Sequence, residues 1–464
     1  MATPAPARPD ADAGLIRAIG LGTATLFVIG SVIGSGIFLT TGAMAATIPS
    51  ASLLLLAWTL GGLLALAGGL TYGEMGAMFP RSGGLYVFLR EAYGPLIAFL
   101  YGWVALTVVM SGGIAAVAVG FAEYLSYFFP SLSTSRVLVA VPMGLAPSGA
   151  LTVSAGQIVA VAAIATLGAI NYVGVRSGNL VNATLTVAKV AGLAALPVMA
   201  LAMQRVEPSF APIVPPDLAR PAAAFGVAMI AVLWTYEAWY FITFAAGEVK
   251  NPQRTLPLAL LFGILALIAI YVTVNVAYLY ALRIDEMQGV TRIAERAATA
   301  LVGGWGATFV ALTVVVSTFG CNAPAILAGS RLLFAMATDR LFFAAARKVH
   351  PVYRTPHVAI VGLTAWSSIL ALSGTYEQLF TYVMFASILF NVAGGIAVFR
   401  LRATQPGRPR PYRVWGYPVV PILFILGSIV FVMNTLVERP VESVAGLGLM
   451  ALGLPVYWYW RSKT

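Results

Sequence analysis

The chain has 464 residues, of which 60% are hydrophobic and only 9% are charged, and its mean hydropathy is +0.91. This composition excludes a soluble globular protein with a conventional charged surface and indicates a polytopic membrane protein. A net charge of +11 would also suit a nucleic-acid-binding protein, but the basic residues are distributed as in a membrane protein, so no nucleic-acid partner is predicted.

Twelve apolar stretches are each long enough to cross a bilayer core of about 30 Å, and we number them span 1 to span 12. The residues before them are rich in Pro and Ala and lack the apolar core of a signal peptide, so no cleaved signal is predicted. Residues 1–20 are expected to form a disordered cytoplasmic arm. The predicted spans cover residues 21–46, 52–78, 96–127, 153–174, 180–203, 222–246, 256–281, 304–334, 357–373, 378–399, 416–436 and 441–459.

The loops between the spans carry an uneven distribution of basic residues. Of the 27 Lys and Arg residues, 19 fall on the side of the N-terminus and 7 on the opposite side, while Lys189 lies within span 5. Basic residues accumulate in cytoplasmic loops, so this bias predicts a multi-pass protein of the cell membrane with both termini in the cytoplasm. The single cysteine, Cys321, excludes an intramolecular disulfide bond and is expected to pack within span 8.

Span 1 contains three glycines and two serines near its middle, where residues 30–38 read GSVIGSGIF. Glycine destabilises a helix by about 1 kcal/mol relative to alanine. Backbone that leaves a helix at membrane depth needs other hydrogen-bond partners, and it is tolerated only where it is buried in protein or lines a cavity. The sequence therefore predicts a break with a binding site at mid-depth in span 1.

Lys189 is a basic residue inside span 5. Lys189 lies ten positions after Asn179, at the start of the span, so at about 1.5 Å per residue it lies roughly 15 Å deep. A charge at the helix centre costs at least about 2.5 to 3.5 kcal/mol, so Lys189 either bends back to the lipid head groups or has a function. In the functional interpretation its ammonium contacts carbonyls freed near residues 29–33 and takes the place of a monovalent cation, as a fixed charge or as a proton-binding group.

Span 6 carries polar and amphipathic residues at its middle, where residues 234–239 read WTYEAW. Interrupted segments at corresponding positions of two halves are typical of inverted-repeat secondary transporters, whose substrate site lies near the bilayer midplane. Span 6 has no glycine or proline between Val227 and Ala246, so local propensity alone does not predict a break there.

Several strings along the chain jointly resemble the amino acid–polyamine–organocation superfamily, and most closely its L-type amino acid transporter family and the bacterial relatives of that family. The resemblance runs in order from about residue 21 to residue 402, with a weaker echo in RPYRVWGYPVVP at 410–421. The strings are VIGSGIF (32–38), YGEMGAMFPRSGGLYVFL (72–89), NYVGVRSG (171–178), LTVAKV (185–190), WTYEAWYFITFAAGEVKNPQRTLPLAL (234–260) and SRLLFAMATDR (330–340).

The resemblance implies an all-α, LeuT-like membrane fold with 12 transmembrane helices. Two inverted five-helix repeats, residues 21–203 and 221–402, would be followed by two additional helices within residues 416–461. In this family, backbone N–H groups of the first break hold the substrate carboxylate, carbonyls of both breaks hold its amino group, and an aromatic residue closes over it. The substrate-binding residues implied are Val32, Ile33, Gly34, Ser35, Gly36, Ile37, Trp234, Tyr236 and Glu237, and the equivalents of the ion site are Lys189 and Thr318.

Glu237 stands where the mammalian L-type relatives have a small residue. An ionised Glu237 would attract the substrate ammonium or a basic side chain, a protonated one would be a candidate proton carrier, and a third interpretation is a structural hydrogen bond in the unwound turn. The resemblance and Lys189 together predict sodium-independent amino acid exchange by alternating access. The alternative is proton-coupled symport of amino acids, polyamines or other organic amines.

Two other functional classes are disfavoured. A channel would need a charged ring or a carbonyl filter, and a membrane-embedded enzyme would need a catalytic constellation; the sequence has neither. The two histidines, His350 and His357, lack ligand partners at metal-binding spacing, so no metal and no cofactor are predicted. Animal L-type relatives use a partner subunit joined to a loop cysteine that this chain lacks. The predicted partners are therefore an amino acid and the lipid bilayer, without an obligatory partner subunit.

Overall fold

A computed structural model describes residues 15–142, 150–373, 376–438 and 440–463. Within these ranges ten helical segments are long and apolar enough to cross a membrane, which confirms the predicted membrane class. They correspond to spans 1 to 8, 10 and 11, while helices His357–Ser373 and Pro440–Arg461 correspond to spans 9 and 12. The ten segments are Leu21–Leu39, Ala51–Met78, Pro95–Leu125, Ala155–Val173, Asn182–Met203, Pro221–Glu248, Pro252–Ala281, Gly304–Thr338, Val383–Thr404 and Val419–Glu438.

Three of these spans are not regular α-helices. Span 1 is split into Leu21–Val32 and Gly36–Leu39, and span 6 into the α-helix Pro221–Tyr236 and the 3-10 segment Trp239–Glu248. Span 3 contains a π-helical turn at Ala105–Val109, a feature that is frequent at functional sites. Span 5 as a whole is helical over Val175–Met203 and span 10 over Tyr376–Thr404. Short helices in the loops cover Thr41–Thr47, Leu85–Tyr93, Ile284–Met287 and Ile293–Val302.

Local sequence signals explain where several spans begin. The Ser154 hydroxyl accepts from the Gln157 N–H and the Gln157 side chain accepts from the Ser154 N–H, which is a capping box at the start of span 4. Pro95 and Pro221 occupy first-turn positions, where the missing N–H costs no hydrogen bond. Gly174, at φ 142°, separates spans 4 and 5 with backbone geometry that favours glycine.

The helical bundle has two ends, which we call the near end, where span 1 begins, and the far end, where span 1 finishes. At the far end, strands Val137–Pro142 and Ala150–Ser154 pair antiparallel between spans 3 and 4. The all-α prediction missed this hairpin because residues 137–141, VLVAV, are apolar throughout and lack the polar alternation of a half-buried strand. The fold class remains helical, since the hairpin lies outside the spans.

Spans 1, 3, 6 and 8 form the buried centre of the bundle, whereas span 11 is mostly exposed on the surface. Span 2 packs on span 7, span 3 on span 8, and span 4 on span 9, as expected when the two halves are related by an inverted repeat. The exact limits of the two repeats stay a prediction. The prediction of a disordered arm falls mainly on residues 1–14, outside the described ranges, but it is wrong for Ile19, which forms a parallel bridge with Val249.

Candidate functional site

The break in span 1 covers residues 33–35, between Val32 and Gly36. The Gly34 N–H turns back to the Val32 carbonyl at 2.8 Å, so the regular helical ladder stops there. Among the described residues no acceptor contacts the N–H groups of Gly36 and Ile37. The break therefore presents two buried main-chain donors that a bound anion could pair with.

Lys189 lies against the other side of this break. It is completely buried, and its Nζ donates to the carbonyls of Gly30 at 3.1 Å, Ile33 at 2.8 Å and Ser317 at 3.1 Å. Glycine at position 30 lets span 5, which carries Lys189, pack closely against span 1. A Cβ there would lie 2.3 Å from Oγ1 of Thr186 in span 5. The three acceptors match the three N–H donors of an ammonium group, and the first two belong to the carboxyl end of a half-helix, where a cation is favoured.

The remaining carbonyls of the span 1 break differ in how many donors they already have. The Val32 carbonyl accepts from the Gly34 N–H and from the Tyr271 hydroxyl at 3.0 Å, and the Ile33 carbonyl accepts from Lys189 and from Ser317 Oγ at 3.1 Å. A carbonyl oxygen has two lone pairs, so both of these oxygens are saturated. Among the described residues, the Ser31 carbonyl accepts only from the weak thiol donor Cys321, at 3.0 Å, and it keeps capacity for a ligand.

The break in span 6 lies at Glu237 and Ala238. Ala238 adopts the left-handed conformation, with φ 73° and ψ 2°, which costs an alanine about 1–2 kcal/mol. Backbone strain of this kind collects at functional sites, where the surrounding structure holds it. The Tyr271 hydroxyl lies between the two breaks, 3.0 Å from the Val32 carbonyl and 3.2 Å from the Thr235 carbonyl at the end of the preceding helix. Its single proton serves the nearer Val32 carbonyl, which leaves the Thr235 carbonyl with capacity for a ligand.

The Glu237 carboxylate is held by two hydroxyl groups. Its Oε1 accepts from Tyr240 at 2.8 Å and from Ser387 of span 10 at 2.5 Å. Although its neighbours in the chain are buried, the Glu237 side chain keeps accessible surface because it borders the cavity between the breaks and a second cavity behind it. The second cavity has a volume of about 30 Å³ and is also lined by Asn391 of span 10 and Ser428 of span 11.

The two breaks meet directly and enclose one wall of a cavity of about 50 Å³. A Cβ on Gly36 would lie 2.3 Å from Thr235 Oγ1, so glycine is required for span 1 to approach span 6 this closely. Spans 3, 8 and 10 complete the wall. The lining residues are Ser31, Val32, Gly34, Ser35, Gly36, Val109, Met110, Gly113, Ile114, Val117, Trp234, Thr235, Glu237, Ala238, Phe241, Cys321, Asn322, Ala325 and Val383.

Ion pairs and backbone contacts hold the near end closed. Arg331 Nε lies 2.6 Å from Glu248 Oε1, and both side chains are almost completely buried between spans 8 and 6. The Glu248 carbonyl accepts from the N–H groups of Ala18 and Ile19, which fastens the segment before span 1 to the end of span 6. Arg90 pairs with Asp339 beside them.

A second closure joins span 2 to span 10 and to the loop that follows it. Glu74 is fully buried and receives two hydrogen bonds from Arg402, at 2.9 Å and 2.6 Å, and one from the Val414 N–H at 2.8 Å. The far end, in contrast, contains an open vestibule of about 660 Å³. Its lining includes Thr40 and Glu123 from spans 1 and 3 and Val137 from the hairpin.

The structure places the predicted site residues in three groups. Val32, Gly34, Ser35, Gly36, Trp234 and Glu237 line the cavity. Ile33, Ile37 and Tyr236 do not line it: the carbonyls of Ile33 and Ile37 accept from Lys189 and Tyr278, and Tyr236 borders the second cavity. Lys189 lies behind the break.

The two residues predicted as equivalents of the ion site, Lys189 and Thr318, form no hydrogen bond with each other. The Thr318 hydroxyl donates within its own helix, to Val314 at 2.7 Å and Val315 at 3.3 Å. The preceding residue, Ser317, contacts Lys189 through its carbonyl and Ile33 through its hydroxyl. Adjacent residues on a helix point about 100° apart, so Ser317 faces Lys189 while Thr318 faces away from it.

Sequence reasoning missed several residues of the cavity wall. Cys321, expected only to pack, lines the cavity, and so does its neighbour Asn322. The wall from span 3 includes Gly113 and Ile114, one turn beyond the π-helical turn. The only signal for this segment was the Gly112-Gly113 pair, which is common in membrane helices and not specific.

Comparison with known protein families and proteins gives one consistent result. A family described as amino acid permease matches residues 19–458. The serine/threonine exchanger SteT of Bacillus subtilis is 33% identical, with 97% of this chain and 98% of that protein covered. The large neutral amino acids transporter small subunit 2 of Homo sapiens is 29% identical over 98% of this chain and 84% of that protein. The branched-chain amino acid permease BcaP of Bacillus subtilis is 28% identical over 97% and 94%.

Proposed function

The chain belongs to the amino acid permease family, and we propose that it is a sodium-independent secondary transporter that exchanges amino acids by alternating access. The family and the apolar spans establish an amino acid transporter of the membrane.

The observation that carries the proposal is the position of the Lys189 ammonium. Its three hydrogen bonds to main-chain carbonyls, at 2.8–3.1 Å, use every N–H of a charged lysine, whereas a neutral amine has only two N–H groups and would direct a lone pair at an oxygen. In this conformation Lys189 therefore acts as a fixed cation. It occupies the position that a sodium ion would otherwise fill, so substrate movement needs no sodium.

The substrate lies in the 50 Å³ cavity between the two breaks. The main chain at the start of the half-helix Gly36–Leu39 holds its carboxylate, through the N–H group of Gly36, which lines the cavity, and that of Ile37, the next residue. We assign its ammonium group to the carbonyls of Ser31 and Thr235, because the carbonyls of Val32 and Ile33 are saturated by donors of the protein itself. Trp234, which lines the same cavity, closes over the bound amino acid.

Alternating access requires that the two ends open in turn. The far-end vestibule and the ion-paired near end are the arrangement of a carrier that is closed on one side. We place the near end, with both termini, in the cytoplasm, as the distribution of basic loop residues indicates. A disulfide-linked partner subunit is not needed in this proposal, because Cys321, the single cysteine, is buried in span 8.

Counterflow in proteoliposomes tests the proposal. Purified protein is reconstituted in vesicles preloaded with one unlabelled amino acid, and uptake of the same labelled amino acid is measured in sodium and in choline buffer. We expect uptake to require internal amino acid and to be equal in the two buffers. Uptake that depends on sodium would contradict the role of Lys189.

Proton symport is the second candidate, and the position of Glu237 favours it. Its carboxylate borders the substrate cavity, so a proton bound there would lie beside the substrate. An acid-outside gradient would then drive accumulation into empty vesicles. Under the exchange proposal the same gradient produces no accumulation without internal amino acid.

A further inference from the structure

Asn322 is a buried amide in the wall of the substrate cavity. Its residue is 1% exposed, its Oδ1 is fully buried, and no described residue forms a hydrogen bond with its carboxamide. Buried polar groups are normally paired, and those that are not require an explanation such as a ligand. Because Asn322 lines the cavity between the two breaks, the bound substrate is the natural partner.

The rest of the side-chain region is small and mostly apolar. The cavity between the breaks is narrow, with a volume of about 50 Å³, so it fits a short substrate side chain better than a long or bulky one. Glu237 is the acidic group on the wall and disfavours a substrate with an acidic side chain. The apolar part of the wall comprises Met110, Ile114, Val117, Phe241, Ala325 and Val383.

From these observations we propose that the cavity selects amino acids with a small hydroxyl-bearing side chain, such as serine and threonine, and that Asn322 recognises the hydroxyl. A carboxamide donates through its nitrogen and accepts through its oxygen, and a hydroxyl group both donates and accepts. The match therefore holds whichever way the amide is turned. A methyl group of the same size would fill the cavity and leave Asn322 unpaired.

This inference rests on the proposed function, since it names the class of amino acid that the same cavity takes. Leaving one buried polar group unpaired corresponds to about 5- to 150-fold in affinity. Sites that hydrogen-bond a substrate hydroxyl discriminate strongly against the analogue without it, whereas one extra methylene is discriminated weakly. The comparison that isolates the effect is threonine against valine, which differ by a hydroxyl and a methyl group.

The experiment measures counterflow of labelled threonine and valine into proteoliposomes preloaded with threonine. We expect a threonine-to-valine ratio of kcat/KM between about 5 and 150. In Asn322→Leu the ratio should fall to about one. The matched control is Asn434→Leu, which replaces another carboxamide with an unpaired Nδ2, located in span 11 against Gly226 and away from the cavity, and should keep the original ratio.

The possible outcomes distinguish the substrate preference from the proposed exchange function. Equal transport of threonine and valine by the unmodified protein, or a preference for valine, overturns this inference but leaves amino acid exchange intact. A preference for threonine that persists in Asn322→Leu overturns the assignment to Asn322. Absence of exchange for every amino acid in a panel overturns the proposed function itself. If Asn322→Leu does not fold, thermal stabilisation of the unmodified protein by threonine and not by valine supplies the same comparison.

Discussion

Replacing Lys189 with methionine removes the positive charge at the first break and keeps a side chain of similar length. The ammonium is the only donor to the Gly30 carbonyl among the described residues, whereas the Ile33 carbonyl would keep its bond from Ser317. The variant therefore leaves one buried carbonyl unpaired. It also removes a cation from the carboxyl end of the half-helix Leu21–Val32.

The size of the effect follows from these two losses. An unpaired buried carbonyl costs about 1–3 kcal/mol, and a cation at a partly buried helix end contributes about 1–2 kcal/mol. Together they destabilise the broken conformation of span 1 by about 2–5 kcal/mol, and each 1.4 kcal/mol is tenfold in an equilibrium constant. Exchange should fall by at least about 25-fold, because the substrate binds only when the break is formed.

The assay compares counterflow with acid-driven uptake for Lys189→Met and for the control Lys348→Met, which removes an exposed lysine. Size-exclusion chromatography and a thermal unfolding curve establish that the variant is folded. If Lys189 is a fixed cation, Lys189→Met should lose both counterflow and acid-driven uptake. If counterflow persists at the normal rate while acid-driven accumulation disappears, Lys189 carries a proton, and the argument for a fixed charge is refuted.

Three further predictions concern other contacts of the site. Glu248→Gln leaves Arg331 as a buried unpaired charge and should destabilise the protein by about 3–5 kcal/mol, while adding Arg331→Met should restore part of that loss in a denaturation assay. Gly30→Ala places a Cβ 2.3 Å from Thr186 Oγ1 and should cost about 1–3 kcal/mol by overpacking, with partial recovery in the double variant Gly30→Ala/Thr186→Ala. Alkylation of Cys321 by a small thiol reagent, followed by mass spectrometry, should be slowed by transported amino acids and unaffected by amino acids that are not transported, since Cys321 lines the cavity.

The sequence predicted the membrane class and the break in span 1 because both depend on local composition. Three glycines within seven residues, at positions 30, 34 and 36, weaken a helix wherever it lies. The break in span 6 has no such signal, since Ala238 adopts its left-handed conformation only because the packed structure around it holds it there. The polar residues at 234–239, the correspondence with span 1 and the family resemblance were the basis for expecting it.

The partners of side chains across the bundle were less predictable than the breaks. The depth of Lys189 follows from counting residues along one helix, but which residue of span 8 contacts it depends on how that helix is rotated. Ser317 and Thr318 point about 100° apart around the axis of span 8. The sequence does not determine the rotation of that helix to within 100°. The recognition role proposed for Asn322 has the same origin, because only the packed structure shows that its carboxamide is buried without a partner.

The site also offers a physical reason for the proposed exchange over one-way transport. On the carbonyl side of the first break, Lys189, Tyr271 and Cys321 each supply a donor, so every carbonyl there has at least one partner in the absence of substrate. On the N–H side, the main-chain N–H groups of Gly36 and Ile37 have no acceptor among the described residues. In the proposed mechanism the substrate carboxylate accepts hydrogen bonds from both. An empty carrier that closes both ends buries these two donors unpaired, which costs about 2–6 kcal/mol at about 1–3 kcal/mol each. The return step without substrate is then slower by at least about 25-fold, whereas the loaded carrier crosses with every donor paired.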